Sequence, residues 1–334
     1  MINILHFISF SRLIPLLCLT IMVSCTESRT IPADTATNTA NTPAMTSCGL
    51  DDRFSATDLG SVVHADILEE VELGNTIADN TSYLVTPGKL RLYFFANRGP
   101  MDGAVLSAVS EDGLGFVIEE GDRLEGPYGH PKLFQLENGS IRMFHLLAGG
   151  LGSSLSTDGL TFVHEEDHRI TNEQAELDKI GGMSVVALPD GGFRGYFSNR
   201  GIPGEPPGEI SIKSAHSEDL LVWEMDEDVR VGTDAPTLTL RRRQPFALQR
   251  PDECVTLFYQ GVEGVPTRLY SATSLNGLDF TVEHPVEVAG YEGSMAGANV
   301  QITPSGDLLL YYDAIDDENG PHIRAANLVF IPSD

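Results

Sequence analysis

Short apolar runs alternate with turn residues along most of the chain, and the pattern repeats. Residues 82–95, 131–144, 183–196, 244–259 and 298–312 share one design: an apolar strand, a Gly- or Pro-bearing turn, then a strand ending in aromatics. Such short runs bounded by turn residues predict β-hairpins, and helical periodicity is nearly absent. The aromatic anchors Phe94, Phe144, Tyr196, Phe258 and Tyr311 recur about every 50–60 residues, the spacing of one four-stranded blade. A second motif follows the first four hairpins, at residues 107–116, 153–162, 214–223 and 271–280. In it a serine precedes Asp112-Gly113, Asp158-Gly159, Asp219-Leu220 or Asn276-Gly277, and Phe116, Phe162, Trp223 or Phe280 follows. Asp or Asn before Gly is tight-turn chemistry, because both tolerate positive φ. The pattern predicts an all-β, five-bladed β-propeller over residues 59–334. The fifth unit lacks the second motif, and residues 62–68 are expected to supply its outer strand, closing the ring and covering an open sheet edge.

The N-terminal stretch reads differently. Residues 1–24 carry one arginine, no acid and an apolar run too short to span a bilayer comfortably, as a secretory signal does. It ends in Met22-Val23-Ser24-Cys25, which resembles a bacterial lipobox, so Cys25 is expected to become the lipid-bearing first residue. The bland alternative is an ordinary signal with an incidental cysteine. Residues 25–58 are expected to form a flexible tether; up to Ser47 the segment is rich in Thr, Ala, Asn and Pro. Thr26 is not the aspartate that retains lipoproteins in the inner membrane, so the resemblance implies the outer membrane or cell surface. Cys48 and Cys254 then remain, to pair as a disulfide permitted by export or to stay as two separate thiols.

Against 48 acidic residues stand 21 basic ones, a formal charge of −27. That surface repels nucleic acid and anionic headgroups, which leaves a lipid anchor as the only expected membrane contact. No nucleophile elbow, zinc-type histidine cluster or phosphate loop is present, and no cofactor or metal is expected.

The repeats resemble the five-bladed arabinanase/β-xylosidase type of glycoside hydrolase over roughly residues 60–330, and the second motif resembles the Asp-box turns of sialidases. The resemblance implies inverting hydrolysis, with a base in blade one, a pKa-tuning aspartate in blade three and an acid in blade four, each at an inner-strand start. Asp79, in Ala78-Asp79-Asn80-Thr81, matches the base. Gly181 stands for the tuning aspartate, and Arg243 for the acid, whose work an always-protonated guanidinium cannot do. In Ala296-Gly297-Ala298-Asn299, relatives have Gly-His-Asn and use the histidine near a channel metal. Substitute acids are expected from Glu292 and Asp313, with His130 as an acid or base of near-neutral pKa. Arg243, Asn299 and the repeated Asn97-Arg98 and Asn199-Arg200 are expected to bind an anionic sugar at the channel mouth, or else to pair with the protein's own acids. Tyr128 and Tyr291 are expected to stack on sugar rings. The sequence thus points to a glycoside hydrolase with an altered acid set, or to a non-catalytic propeller that binds glycan or protein.

Overall fold

The computed structural model describes residues 48–63, 76–86, 89–99, 102–126, 128–199, 211–231, 241–303, 306–316 and 320–333. Side chains within some of these strands, those of Asp79, Asn97 and Arg98 among them, are not described. The chain divides into two units, residues 1–39 and 40–334, and all described residues belong to the second. Cys25 and most of the expected tether therefore lie outside the described residues, as does Arg200.

Five sheets form the blades, antiparallel except that the short strand Glu287–Ala289 runs parallel to the outermost strand of blade five. From the inner strand outward, blade one is Thr76–Thr86, Lys89–Gly99, Asp102–Ser110 and Val117–Ile118. Blade two is Lys132–Gln135, Ile141–Leu147, Gly150–Ser156 and Val163–Thr171. Blade three is Ser184–Ala187, Phe193–Ser198, Ile212–Ser217 and Glu224–Met225. Blade four is Arg241–Gln249, Val255–Val262, Arg268–Ser274 and Glu283–Pro285. Blade five is Ser294–Ile302, Leu308–Asp316, Gly320–Ile331 and, from the N-terminal side, Arg53–Val63. Each inner strand contacts those of the blades on either side, and the first meets the fifth, so the ring is closed.

The closing strand begins earlier than the sequence pattern suggested. It runs from Arg53, with Phe54 opposite Phe330 and Val63 opposite Ile323, while residues 64–68 lie outside the described residues. Residues 53–58, expected in the tether, are thus part of blade five. The polar run Ser55-Ala56-Thr57-Asp58 hid the strand from a pattern search.

The blades are joined by a repeated staple. In the turns at Ser110, Ser156 and Ser217 the serine hydroxyl accepts from the backbone two or three residues on, as in Gly113 N to Ser110 Oγ (2.9 Å), and in all four turns the Asp or Asn accepts from the two amides after that. The aromatic that follows packs edge-on against an anchor of the preceding blade: Phe162 on Tyr93, which takes the anchor position expected of its neighbour Phe94, Trp223 on Phe144, Phe280 on Tyr196, and Phe116 on Tyr311 of blade five. Where the anchor is tyrosine, its hydroxyl also donates to the turn, to Gly159, Gly277 and Gly113 carbonyls at 2.6, 2.7 and 2.8 Å. Phe258 of blade four meets Phe54 of the closing strand instead, at 4.9 Å. These anchors are fully buried, and burial of such a side chain contributes about 1.5–3 kcal/mol.

Candidate functional site at the channel mouth

The inner strands start at one face of the ring, and the stapling turns occupy the other. At the mouth the pairing register sets which residues are equivalent. Thr81, Lys132, Ser184 and Asn299 lie opposite the aromatics Tyr93, Phe144, Tyr196 and Tyr311, and Phe246 lies opposite Phe258. Two residues before these come Asp79, His130, Gly182, Gln244 and Gly297, one turn position per blade. Bulges in blades one, four and five fall at this position, between Ala78 and Thr81, Arg243 and Phe246, and Ala296 and Asn299. His130, Gln244 and Gly297 share a left-handed backbone there, with φ of 54°, 50° and 50°. Two of these three are not glycine, and such backbone costs on the order of 1–3 kcal/mol each.

This register changes two sequence assignments. Gln244, not Arg243, is the blade-four equivalent of Asp79, and Gly182 rather than Gly181 is that of blade three. The sequence held a signal for the shift: Pro131 and Pro245 follow the turn residue in blades two and four.

The five turns are tied to one another around the axis. Gly297 N donates to Gln244 Oε1 (3.3 Å), and Gln244 N donates to Ser198 Oγ (3.3 Å) on blade three. Gly182 lies so close to His130 that a Cβ there would sit 2.9 Å from the histidine Cβ. The buried Lys132 donates from Nζ to Asn80 O (2.9 Å), and Asn80 Nδ2 donates to Gly297 O and Asp313 Oδ1, both at 2.7 Å. Asn80, Lys132 and Gln244 were not among the residues singled out from sequence, because their neighbours Asp79, His130 and Arg243 drew the resemblance.

Of the expected acids, Asp313 is at the mouth. It lies on the second strand of blade five opposite Ala296, and a side chain on Gly297 would meet its Oδ2 at 1.9 Å. The carboxylate fills the space that a residue at the blade-five turn would otherwise take. His130 and Asn299 are also buried at this level, and Arg243 is half-buried beside Gln244. Asn199, buried, bridges to Ile180 just outside it. Asp79 is at the turn by its backbone, and Asn97 and Arg98 belong to the mouth end of the second strand of blade one.

Glu292 is not brought together with them. Its side chain is 96% exposed, 3.9 Å from Arg268, and lies beyond Ser294, where the blade-five ladder ends. Tyr291 is buried beneath the Arg324 guanidinium, and Tyr128 packs on His145, so neither expected stacking ring stands at the axis. Arg242 of the triple-arginine run pairs with Glu283 at 2.6 Å; burial alone would lower its pKa, but this carboxylate raises it. Ala298 stands where relatives carry the metal-side histidine, and among the described residues no three His, Cys, Asp or Glu side chains could hold a metal ion.

No family model matches the sequence, and no curated protein matches it. Solved structures do share the fold. An endo-arabinase from Bacteroides thetaiotaomicron is similar at 15% identity, with a TM-score of 0.60 over 82% of this chain and 99% of that one. An endo-1,4-β-xylanase from the same organism gives 14% identity and a TM-score of 0.60 over 77% and 94%. A protein of unknown function from Dyadobacter fermentans gives 16% and 0.51 over 84% and 86%. The chain has the five-bladed propeller fold found in arabinanase- and xylanase-type glycosidases.

Proposed function

We propose that the protein is a glycoside hydrolase whose catalytic carboxylates come from blades one and five and whose proton donor comes from blade two. The observation that carries this reading is Asp313, whose carboxylate stands in the turn layer where the resemblance expects catalytic acids. Asp79 is the general base that activates water. The amide of Asn80 donates to Asp313 and orients its carboxylate, which stabilises the oxocarbenium charge. His130, at the equivalent turn of blade two, protonates the leaving oxygen. Arg243, with Arg98 and Arg200, selects an acidic glycan such as a uronate or sulfated chain.

A second reading, glycan binding without hydrolysis, is favoured by Gln244: blade four offers an amide at the turn, and that amide is engaged by Gly297 N. Reducing-sugar release from neutral and acidic polysaccharides separates the two. Hydrolysis that falls at least about 100-fold in Asp79→Asn supports the first. Saturable binding with no release by the wild type supports the second.

The protein is also proposed to be exported and lipid-anchored through Cys25. The chain enters the domain on the turn face, where Arg53 pairs with Ile331. Mass spectrometry of membrane fractions that finds Cys25 unmodified would remove the anchor.

A further inference from the structure

The inner strands of blades two and three, Lys132–Gln135 and Ser184–Ala187, are four residues long, whereas those of the other blades have nine or eleven. They are short at the mouth end, and on the turn face they end level with those of blades four and five, with Gln135 opposite Ile141 and Ala187 opposite Phe193 as Gln249 is opposite Val255 and Ile302 opposite Leu308. Beyond these ends a cavity of about 790 Å³ lies between blades two and three on the turn face, away from the channel mouth. Phe134 and Phe193, ring centroids 5.3 Å apart, form its apolar wall, and Leu220 lies in its floor. Leu220 holds φ at 66°, a conformation that glycine takes at the same turn in the other three copies. Its carbonyl accepts from Trp223 Nε1 at 3.2 Å, which puts the protein's single tryptophan directly behind the cavity. Gln135, Glu137, Asn138 and Asp219, all exposed, line it with amide and carboxylate groups.

We propose that this groove is a second saccharide-binding site, separate from the channel mouth and selective for uncharged sugars. An aromatic wall beside a few hydrogen-bonding groups is the make-up of a sugar cleft, and the volume falls in the range of small-molecule sites. The charge on its walls sets the selectivity. Both ionised lining groups, Glu137 and Asp219, are acids, and no lysine or arginine lines the cavity. Uronates and sulfated sugars are repelled, the opposite of the preference assigned to the mouth. Arg142, whose guanidinium reaches the Asp219 carbonyl, is committed to the Glu165 carboxylate at 2.8 Å and does not reverse this.

The site rests on described residues alone and does not depend on hydrolysis at the mouth. Trp223 emission is its reporter. Titrating the full chain with xylohexaose should give a saturable emission change, and a galacturonate hexamer should give none. Ala187 is exposed at the rim, and Ala187→Arg, which fills the groove without touching the core, should weaken xylohexaose binding about tenfold or more. Asp313→Asn should leave the emission change intact even though it disables the mouth. An emission change lost in Asp313→Asn, unchanged in Ala187→Arg, or absent with xylohexaose would overturn the proposal. Absence of glycan hydrolysis by the wild type would bear on the mouth only.

Discussion

At the residue scale the informative position is Gly297. Its φ of 50° favours glycine, and the Asp313 Oδ2 occupies the place of a Cβ. Gly297→Ala must therefore both strain the backbone and push out the carboxylate, and it is expected to lower stability by about 1–3 kcal/mol in chemical denaturation. On the proposed mechanism it also cuts hydrolysis, because Asp313 can no longer sit beside Asn80. Retained stability together with retained activity would mean that the carboxylate has room elsewhere. This residue also marks how far the sequence could be read. Asp79, His130, Asp313 and Asn299 were legible because they follow a repeated aromatic frame. Gln244 was not, since nothing in the apolar pattern marks the turn residue itself, and the count slipped by one at Arg243 as it did at Gly181. Glu292 looked well placed by sequence distance, but distance along the chain says nothing of which way a loop leaves the ladder.

At the element scale the stapling turns explain a paired substitution. Three anchors are tyrosines facing glycine turns, and a Cβ on Gly277 or Gly113 would stand 2.7 or 2.9 Å from the facing hydroxyl. Blade two has Phe144 instead, and there the turn carries Leu220. The lost hydroxyl makes room for the side chain. Phe144→Tyr should thus collide with Leu220 and destabilise by about 1–3 kcal/mol, and Leu220→Gly should restore part of that in the double variant. Thermal unfolding of the four proteins tests the coupling; strict additivity would deny the contact. The same turns respond to pH. Amide donors from Thr161 and Leu160, in that order, hold Asp158 down at about 2, below its ordinary 3.8. A depressed carboxyl contributes stability above its unfolded pKa and loses it as pH falls through the folded value. Asp158→Asn keeps the acceptor oxygen but not the charge. The wild type should be the more stable near neutrality, with the gap in melting temperature closing between about pH 4 and pH 2. A gap independent of pH would leave the charge without a role.

At the scale of the whole molecule the ring must be closed by residues far apart in sequence, and closure was the part of the fold least legible beforehand. The five hairpins announce themselves by aromatics, whereas the strand Arg53–Val63 offers Phe54 and little else apolar before Val62. What holds it is concentrated at its start. Cys48 and Cys254 are joined by a disulfide, with Cα atoms 6.0 Å apart and a sequence separation of 206. Beside it Arg250, wholly buried, pairs with Asp52 at 2.7 Å and with Asp252 at 2.5 Å. Burial by itself would raise the Asp52 pKa, but bonds from Ser333 N, Arg250 and Gly49 N outweigh it and keep the carboxyl below its ordinary value. Arg250→Met leaves carboxylates buried without their cation, which costs about 3–5 kcal/mol. Cys48→Ser frees a long loop in the unfolded chain and costs about 2–5 kcal/mol. Both changes release the same strand end, so their effects should not add. The double variant is expected to lose measurably less than the sum of the two, because once either tie is cut the strand frays and takes the other with it. Denaturant unfolding of both single variants and the double variant measures the coupling directly. Full additivity would mean that the disulfide and the ion pair secure the ring independently, and that its closure does not depend on one latch between Cys48 and Arg250.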